Sequence, residues 1–481
     1  MKKPILLLFL LLALGLGAHA AESRPNIILI LADDMGYGDL GCNGSTLLKT
    51  PHLDQLAAGG IFCRQAYVTS SVCSPSRAGL ITGRDPRRFG HEGNLNEDSE
   101  YYPTRPDLLG LPTHEHTLGD HLKAAGYRTA LIGKWHLGDS AGFHPKRRGF
   151  DYFCGMLHGS HPYFPTAAKN ELERNGQKLS EFSSPYLTDF FTDEAIRWMD
   201  GGDPAGVQKP FFLFLSYNAP HGPLEATAED LERFSHITDK KRRTYAAMMY
   251  ALDRGVGRVM DWLKQGNKVS DTLVVFLSDN GGPSNGGSWN GILSGAKGTL
   301  LEGGVRVPMI WSWPGKVPAG QYYDAPVSSL DLLPTFLAAA GAKPLPLAPA
   351  KTYEDAGNRS RATQLYGAYD GVNLQPVFSN AATAPERTLF WRLQGQAAVL
   401  HGTDKLIVLS HRPPQLFRPK GDPGERHDLA AHAPEAMRDL FRRLGEWEST
   451  LATVPLWDSS PRYAGKSAET YDTFAARPEP R

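Results

Sequence analysis

Cysteine is scarce: the chain has four in 481 residues, at Cys42, Cys63, Cys73 and Cys154. That excludes a disulfide-framework protein, in which cross-links replace a core. No charge of one sign dominates. Lysine plus arginine number 51, and aspartate plus glutamate number 51. Neither a nucleic acid nor an acidic membrane surface is therefore an implied partner. The basic run Lys240-Lys241-Arg242-Arg243 reads as the solvated end of an amphipathic helix. Internal repeats and long low-complexity segments are lacking too. The apolar run Ile5 to Leu16 falls short of the roughly 20 residues that span a bilayer. It follows Lys2 and Lys3 and precedes Ala18-His19-Ala20, the layout of a secretory signal peptide. The expectation is cleavage after Ala20 and a periplasmic or secreted protein without a stable membrane anchor.

What is present is ordinary for a globular protein: 41% hydrophobic and 21% charged residues. At roughly 150 residues per domain, the length allows two or three domains, or one large domain with an appendage. Four short apolar runs share a layout. Asn26 to Leu31 ends in Ala32-Asp33-Asp34. Thr129 to Ile132 ends in Gly133-Lys134-Trp135-His136. Phe211 to Leu215 ends in Ser216-Tyr217-Asn218-Ala219-Pro220-His221. Thr272 to Leu277 ends in Ser278-Asp279-Asn280-Gly281-Gly282. Such runs read as strands buried on both faces. Helical patterns alternate with them at Leu118 to Ala125, Tyr245 to Leu263 and Leu330 to Ala340. The Met248, Met249, Leu252, Val256, Val259 and Leu263 stripe reads as core. The expected fold is α/β, a large, mostly parallel central sheet flanked by helices. Ligands bind beyond the carboxyl ends of such strands, so one shared site is predicted there.

The pattern changes near residue 385. Pro344 to Gly367 reads as loop. Thr388 to Leu393, Ala397 to Leu400 and Lys405 to Leu409 read as short antiparallel strands, and Pro434 to Leu451 as an amphipathic helix. The expected division is a leader at 1–20, a catalytic α/β domain at 21–385 and a small α+β domain at 386–481, its tail after Pro455 lying along the surface.

The chemistry centres on Cys73-Ser74-Pro75-Ser76-Arg77-Ala78-Gly79-Leu80-Ile81-Thr82-Gly83. Ser74 reads as a helix N-cap and Pro75 as the first helical residue. That puts Cys73 at a helix N-terminus, where an anion is favoured, with Arg77 in the first turn. Asp33, Asp34, Asp279 and Asn280 offer only oxygen ligands, which suit a hard divalent cation such as calcium or magnesium.

These eleven residues resemble the signature of the type I sulfatases of the alkaline phosphatase-like superfamily, C-x-P-x-R with a Thr-Gly end. Other segments resemble the family as well: Asp33-Asp34-Met35-Gly36-Tyr37-Gly38, Gly133-Lys134-Trp135-His136-Leu137-Gly138, Pro220-His221, Ser278-Asp279-Asn280-Gly281-Gly282, Gly295-Ala296-Lys297-Gly298 and the later Asp422-Pro423-Gly424-Glu425. The resemblance implies an arylsulfatase-type sulfuric ester hydrolase. A formylglycine-generating maturation enzyme would oxidise Cys73, and its hydrate would attack sulfur beside one calcium ion held by Asp33, Asp34, residue 73, Asp279 and Asn280. It implies that Arg77 and His136 hold the hydrate, with His136 the base that expels sulfate. Lys134, His221 and Lys297 would bind sulfate oxygens, and His221 or Lys297 would protonate the leaving oxygen. With Cys73 converted, the other three cysteines allow at most one disulfide.

The expected substrate is a sulfated carbohydrate or an aryl sulfate ester. Candidate pocket segments are Arg84 to Leu111, with His91, Glu92, Asn94, Tyr101 and Tyr102, then His158 to Phe164, and Ser284 to Asn290, where Trp289 offers a stacking face for a sugar. Two rivals remain at this level: a phosphatase or phosphonate monoester hydrolase on the same fold, and a non-catalytic protein that binds sulfated glycans.

Overall fold

The computed structural model describes residues 24–95, 109–166, 171–201, 209–347, 352–354, 360–362, 369–379, 383–410, 412–451 and 471. The leader, Tyr101 and Tyr102, and all of the tail after Pro455 except Tyr471 lie outside them.

An 11-stranded sheet forms the centre. Its main strands, in chain order, are β1 (Asn26–Ala32), β2 (Ile61–Tyr67), β3 (Arg128–Lys134), β4 (Tyr152–Met156), β5 (Phe211–Ser216), β6 (Thr272–Ser278) and β7 (Arg306–Ser312). In space they run β2-β7-β6-β1-β5-β3-β4, extended at both edges by short pieces. The four strands expected to carry the site are contiguous. β6 pairs parallel with β1, β1 with β5, and β5 with β3. Their polar termini therefore meet along one edge. β7 is the exception, antiparallel to both β2 and β6.

Alternation along β1 explains why its run is continuously apolar. Ile28 and Ile30 face one helical layer, and Ile27, Leu29 and Leu31 face the other. The first layer holds α1 (Pro51–Ala58), α4 (Leu187–Asp200) and α5 (Lys240–Gln265). The second holds α2 (Cys73–Thr82), α3 (Leu118–Ala124) and α6 (Leu332–Ala339). Each fully buried Leu or Ile contributes roughly 1.5–3 kcal/mol of transfer free energy. The methionine stripe of α5 is core: Met248, Met249, Leu252, Val256, Val259 and Leu263 are all fully buried.

Three expectations need correction. The basic run at the start of α5 is not wholly solvated, because Arg242 is fully buried and pairs with Asp39 at 2.6 Å. Asp239 caps that helix instead, accepting from Arg242 N at 2.7 Å. Ser74 is not the cap of α2. The helix starts at Cys73 with Val72 before it, so Pro75 sits third. Within the stretch read as loop, Thr352–Glu354 pairs antiparallel with Ser360–Ala362.

The C-terminal unit is a four-stranded antiparallel sheet, β8 (Thr388–Leu393), β9 (Gln396–His401), β10 (Asp404–Leu409) and β11 (Gln415–Phe417), with α7 (Pro434–Glu448). One face packs Leu389, Trp391, Leu393 and Ile407 against Tyr67, Leu300 and Val305 of the large unit. The other packs Val399, Leu406 and Leu416 under Leu440, Leu444 and Trp447 of α7. All four cysteines are free thiols. No described helix is long and apolar enough to cross a membrane.

Candidate active site

The termini of β1, β3, β5 and β6 converge on the first turn of α2. Cys73 Sγ lies 3.5 Å from Asp33 Oδ1 and 3.8 Å from Asp34 Oδ1. Lys297 Nζ sits 3.1 Å from that sulfur and bonds both Asp34 oxygens, at 2.6 and 2.8 Å. Lys134 Nζ donates to Asp33 Oδ2 at 2.6 Å. Asn280 Nδ2 donates to Asp34 Oδ1 at 2.7 Å, and Asp279 Oδ1 accepts from Asp34 N at 3.1 Å. His221 Nε2 stands 3.5 Å from Asp34 Oδ2.

Arg77 ties the cluster to the sheet. Its Nε donates to Asp279 Oδ2 at 2.9 Å, and one amino group reaches the Lys134 carbonyl and Ser216 Oγ at 3.1 and 2.7 Å. Asp34 and His136 both adopt left-handed backbone, with φ of 67° and 56°. Non-glycine residues occupy that region rarely, and such positions cluster at functional sites. Among the described residues of the cluster, Lys297 and His221 are the more exposed. Side-chain exposure is nil at Asp33 and Lys134 but rises to 18% at Lys297 and 22% at His221.

Electrostatics follow from burial inside a charged cluster. Burial alone would raise the Asp34 carboxyl, but Lys297 and His221 reverse this and hold it well below the usual range. Burial, then Asp33, pushes the Asp279 carboxyl up, with Arg77 and Lys134 opposing. Burial also raises the Cys73 thiol despite Lys134 and Lys297, so the sulfur is not a thiolate. His221 is pushed down to about 4 by burial, against the pull of Asp34. His136 is held well below its ordinary value by burial and then by Lys134 and Arg77. Both imidazoles are neutral at pH 7, and Lys297 is the cation at the mouth.

The donor set fits a hard divalent cation. Asp33, Asp34 and Asp279 are buried carboxylates, and the buried Asn280 Oδ1 has no hydrogen-bond partner. An orphaned acceptor beside three carboxylates is costly unless a cation completes it. Among the described residues, candidate ligand atoms of Asp33, Asp34, Cys73 and His221 lie within 4.8 Å of one another. That group shares Asp33, Asp34 and Cys73 with the expected set, adds His221 and lacks Asp279. The all-oxygen set is the better fit, because Asn280 Oδ1 is the atom without a partner.

The structure thus brings together nine of the ten site residues the sequence singled out: Asp33, Asp34, Cys73, Arg77, Lys134, His221, Asp279, Asn280 and Lys297. His136 follows β3 at the same edge. Ser216 was not foreseen, although it ends one of the four apolar runs; its hydroxyl donates to the Lys134 carbonyl at 2.7 Å. Among the candidate pocket residues, His91 is fully buried and Glu92 nearly so, hence neither lines an open rim. Trp289 is half-buried, and its backbone N–H donates to Asp39 at 3.0 Å.

Comparison with known proteins agrees with this geometry. The family model described as Sulfatase matches residues 25–342. Arylsulfatase A of Homo sapiens is 33% identical over 489 residues, covering 90% of this chain and 89% of that protein. N-acetylgalactosamine-6-sulfatase of Mus musculus is 38% identical over 356 residues, which is 70% of this chain and 66% of the relative's own length. The crystal structure of Ps i-CgsB in complex with k-i-k-neocarrahexaose matches with a TM-score of 0.80 and 36% identity, covering 94% of this chain and 98% of that one.

Proposed function

The chain belongs to the sulfatase family, and from that premise we propose that it hydrolyses sulfate esters of a sulfated carbohydrate and turns over aryl sulfates as well. The observation that carries the reading is the Cys73 cluster: a modifiable side chain at a helix start, between two lysines and three buried carboxylates. The sugar preference is supported by Ps i-CgsB, solved with k-i-k-neocarrahexaose.

In this reading Cys73 is matured to formylglycine, whose hydrate supplies the nucleophilic hydroxyl where Sγ now lies. Asp33, Asp34, Asp279 and Asn280 would hold calcium, which when bound neutralises sulfate charge and polarises sulfur. The chain's own groups do the rest. Lys134 and Lys297 present ammonium donors to sulfate oxygens. Lys297, charged and at the mouth, protonates the leaving oxygen, while His221, whose Nδ1–H donates to the Gly222 carbonyl at 2.6 Å, presents Nε2 beside Asp34. Neutral His136 takes the proton from the second hydroxyl as sulfate leaves. Arg77 fixes Asp279 and the start of α2. We place the enzyme outside the cytoplasm after loss of residues 1–20, with catalysis in residues 21–385 and the 386–481 unit packed against them.

The test is paired. The peptide containing residue 73 is weighed after export from a host that matures such sites. The same protein is then assayed on the sulfate and phosphate esters of one phenol. An aldehyde at residue 73 with preference for the sulfate ester is the expected result. Preference for the phosphate ester would overturn the reading in favour of a phosphatase. Sugar binding without turnover in matured protein would turn it toward a glycan-binding role.

A further inference from the structure

His136 carries a demand that the reaction alone does not explain. Its backbone is left-handed, at φ 56°, a conformation that persists only when surrounding contacts over-determine it. Two hydrogen bonds do so. Its N–H donates to the Leu157 carbonyl at 3.0 Å. Its carbonyl accepts from Ser74 Oγ at 2.8 Å. Ser74 has one hydroxyl proton and spends it on His136, so the bond from Ser74 Oγ to His91 Nε2, at 2.7 Å, must be donated by the imidazole.

The same serine is held at its backbone, where Ser74 N donates to Asn94 Oδ1 at 2.9 Å. His91 and Asn94 flank Glu92, whose carboxylate takes a two-pronged bond from Arg392 of β8, at 2.9 and 2.6 Å. Arg87, on the same loop, donates to the Phe390 carbonyl of β8 at 3.0 Å. The C-terminal sheet thus anchors a loop whose tip grips the residue next to Cys73. Burial keeps His91 neutral, with its pKa pushed down to about 3, which preserves the tautomer the chain requires.

We propose that His91 is a positioning residue: through Ser74 Oγ it fixes the carbonyl of His136, and Arg392 secures the loop that carries it. The proposal rests on the sulfatase reading only for its kinetic test. Misplacing a catalytic group by about 1 Å can cost on the order of 100-fold in rate.

His91→Leu and Ser74→Ala should each lower kcat roughly 10- to 100-fold with KM little changed, in protein whose residue 73 is shown by mass to be matured. The double variant should lose no more than the worse single one, because both break one chain. His91→Gln can place an amide N–H near the same point, and it should recover most of kcat. Arg392→Gln should produce the mildest loss. Histidine ring ¹⁵N–¹H correlation spectra give a readout independent of turnover. His136 signals should move in His91→Leu and Ser74→Ala and stay in place in His91→Gln. Unmoved His136 signals in His91→Leu, or equal loss of kcat in the Leu and Gln variants, would overturn the positioning role. Absence of sulfate ester turnover in matured wild type would instead sink the functional reading, and the spectra would still decide the role of His91.

Discussion

At one end of residues 297–306, Lys297 reaches Asp34 in the Cys73 cluster. At the other, Glu302 and Arg306 meet Lys405 and Glu425 of the C-terminal unit. Both clusters bury several charges, yet they are built differently. Lys405 lies 2.8 Å from Glu302 and 2.9 Å from Glu425, and all three side chains are fully buried. Tyr67 OH and Arg306 add donors to Glu302 at 2.9 and 3.3 Å, and Glu302 N donates to Glu425 at 2.7 Å. This cluster is closed to water. The Cys73 cluster opens through Lys297 and His221, and it leaves Asn280 Oδ1 and His136 Nδ1 without hydrogen bonds, whereas Glu425 Oε1 of the closed cluster, likewise without a hydrogen bond, is ion-paired to Lys405. Burial of charge does not by itself mark a reactive site. Unfilled valence beside an opening does, because those are the groups a substrate or cation completes.

Substitutions that should act on one cluster only sharpen this contrast. The largest effect is expected from Cys73→Ala. Turnover of an aryl sulfate should fall to background while the thermal midpoint stays within a few degrees of wild type, since one small buried thiol is removed. Retained turnover would remove Cys73 from the reaction. The next largest comes from a matched pair. Lys405→Met removes the cation shared by Glu302 and Glu425, leaving Arg306 and Tyr67 on Glu302, and should cost about 3–5 kcal/mol in denaturant unfolding, with kcat of the remaining folded protein near normal. Lys297→Met should do the reverse. It abolishes turnover but costs less than about 2 kcal/mol, because the ammonium is partly solvated and Asp34 keeps Asn280 and His221. Equal destabilisation by both would erase the contrast between closed and open clusters.

The open cluster was legible in the sequence and the closed one was not, for a physical reason. Asp33-Asp34, Lys134, His221 and Asp279-Asn280 each end an apolar run, so strand topology gathers them without any knowledge of side-chain packing. Glu302, Lys405 and Glu425 come from a one-turn helix, a sheet strand and a loop, and nothing local links them. The strands that escaped notice tell the same story. β2 carries Arg64 and Gln65 in its middle, and its register against β7 shifts between Cys63 and Ala66. β7 contains Pro308, which argues against a central strand. It is tolerated because Pro308 falls opposite that shift, and pairing with β6 begins only at Met309. The start of α2 was misread because Ser74, a good cap by composition, spends its hydroxyl on His136 and His91 instead.

The smallest expected effect lies in how the closed cluster answers to pH. Burial raises the Glu425 carboxyl from 4.5 to about 7, with Glu302 adding to the rise and Lys405 opposing it. A carboxyl raised on folding favours the folded state while protonated. Its contribution is complete below 4.5 and is lost as pH climbs through about 7. Glu302 is shifted the other way, chiefly because Lys405 and Arg306 overcome its burial, so its contribution grows above the ordinary carboxylate range and fades in acid. Glu425→Gln removes the first contribution and leaves the second. Relative to wild type, the glutamine variant should gain unfolding free energy steadily between pH 4.5 and 8. A difference that stays flat across that range would mean that Glu425 is ionised throughout, and that Lys405 balances two full negative charges at the interface rather than one charge and one proton.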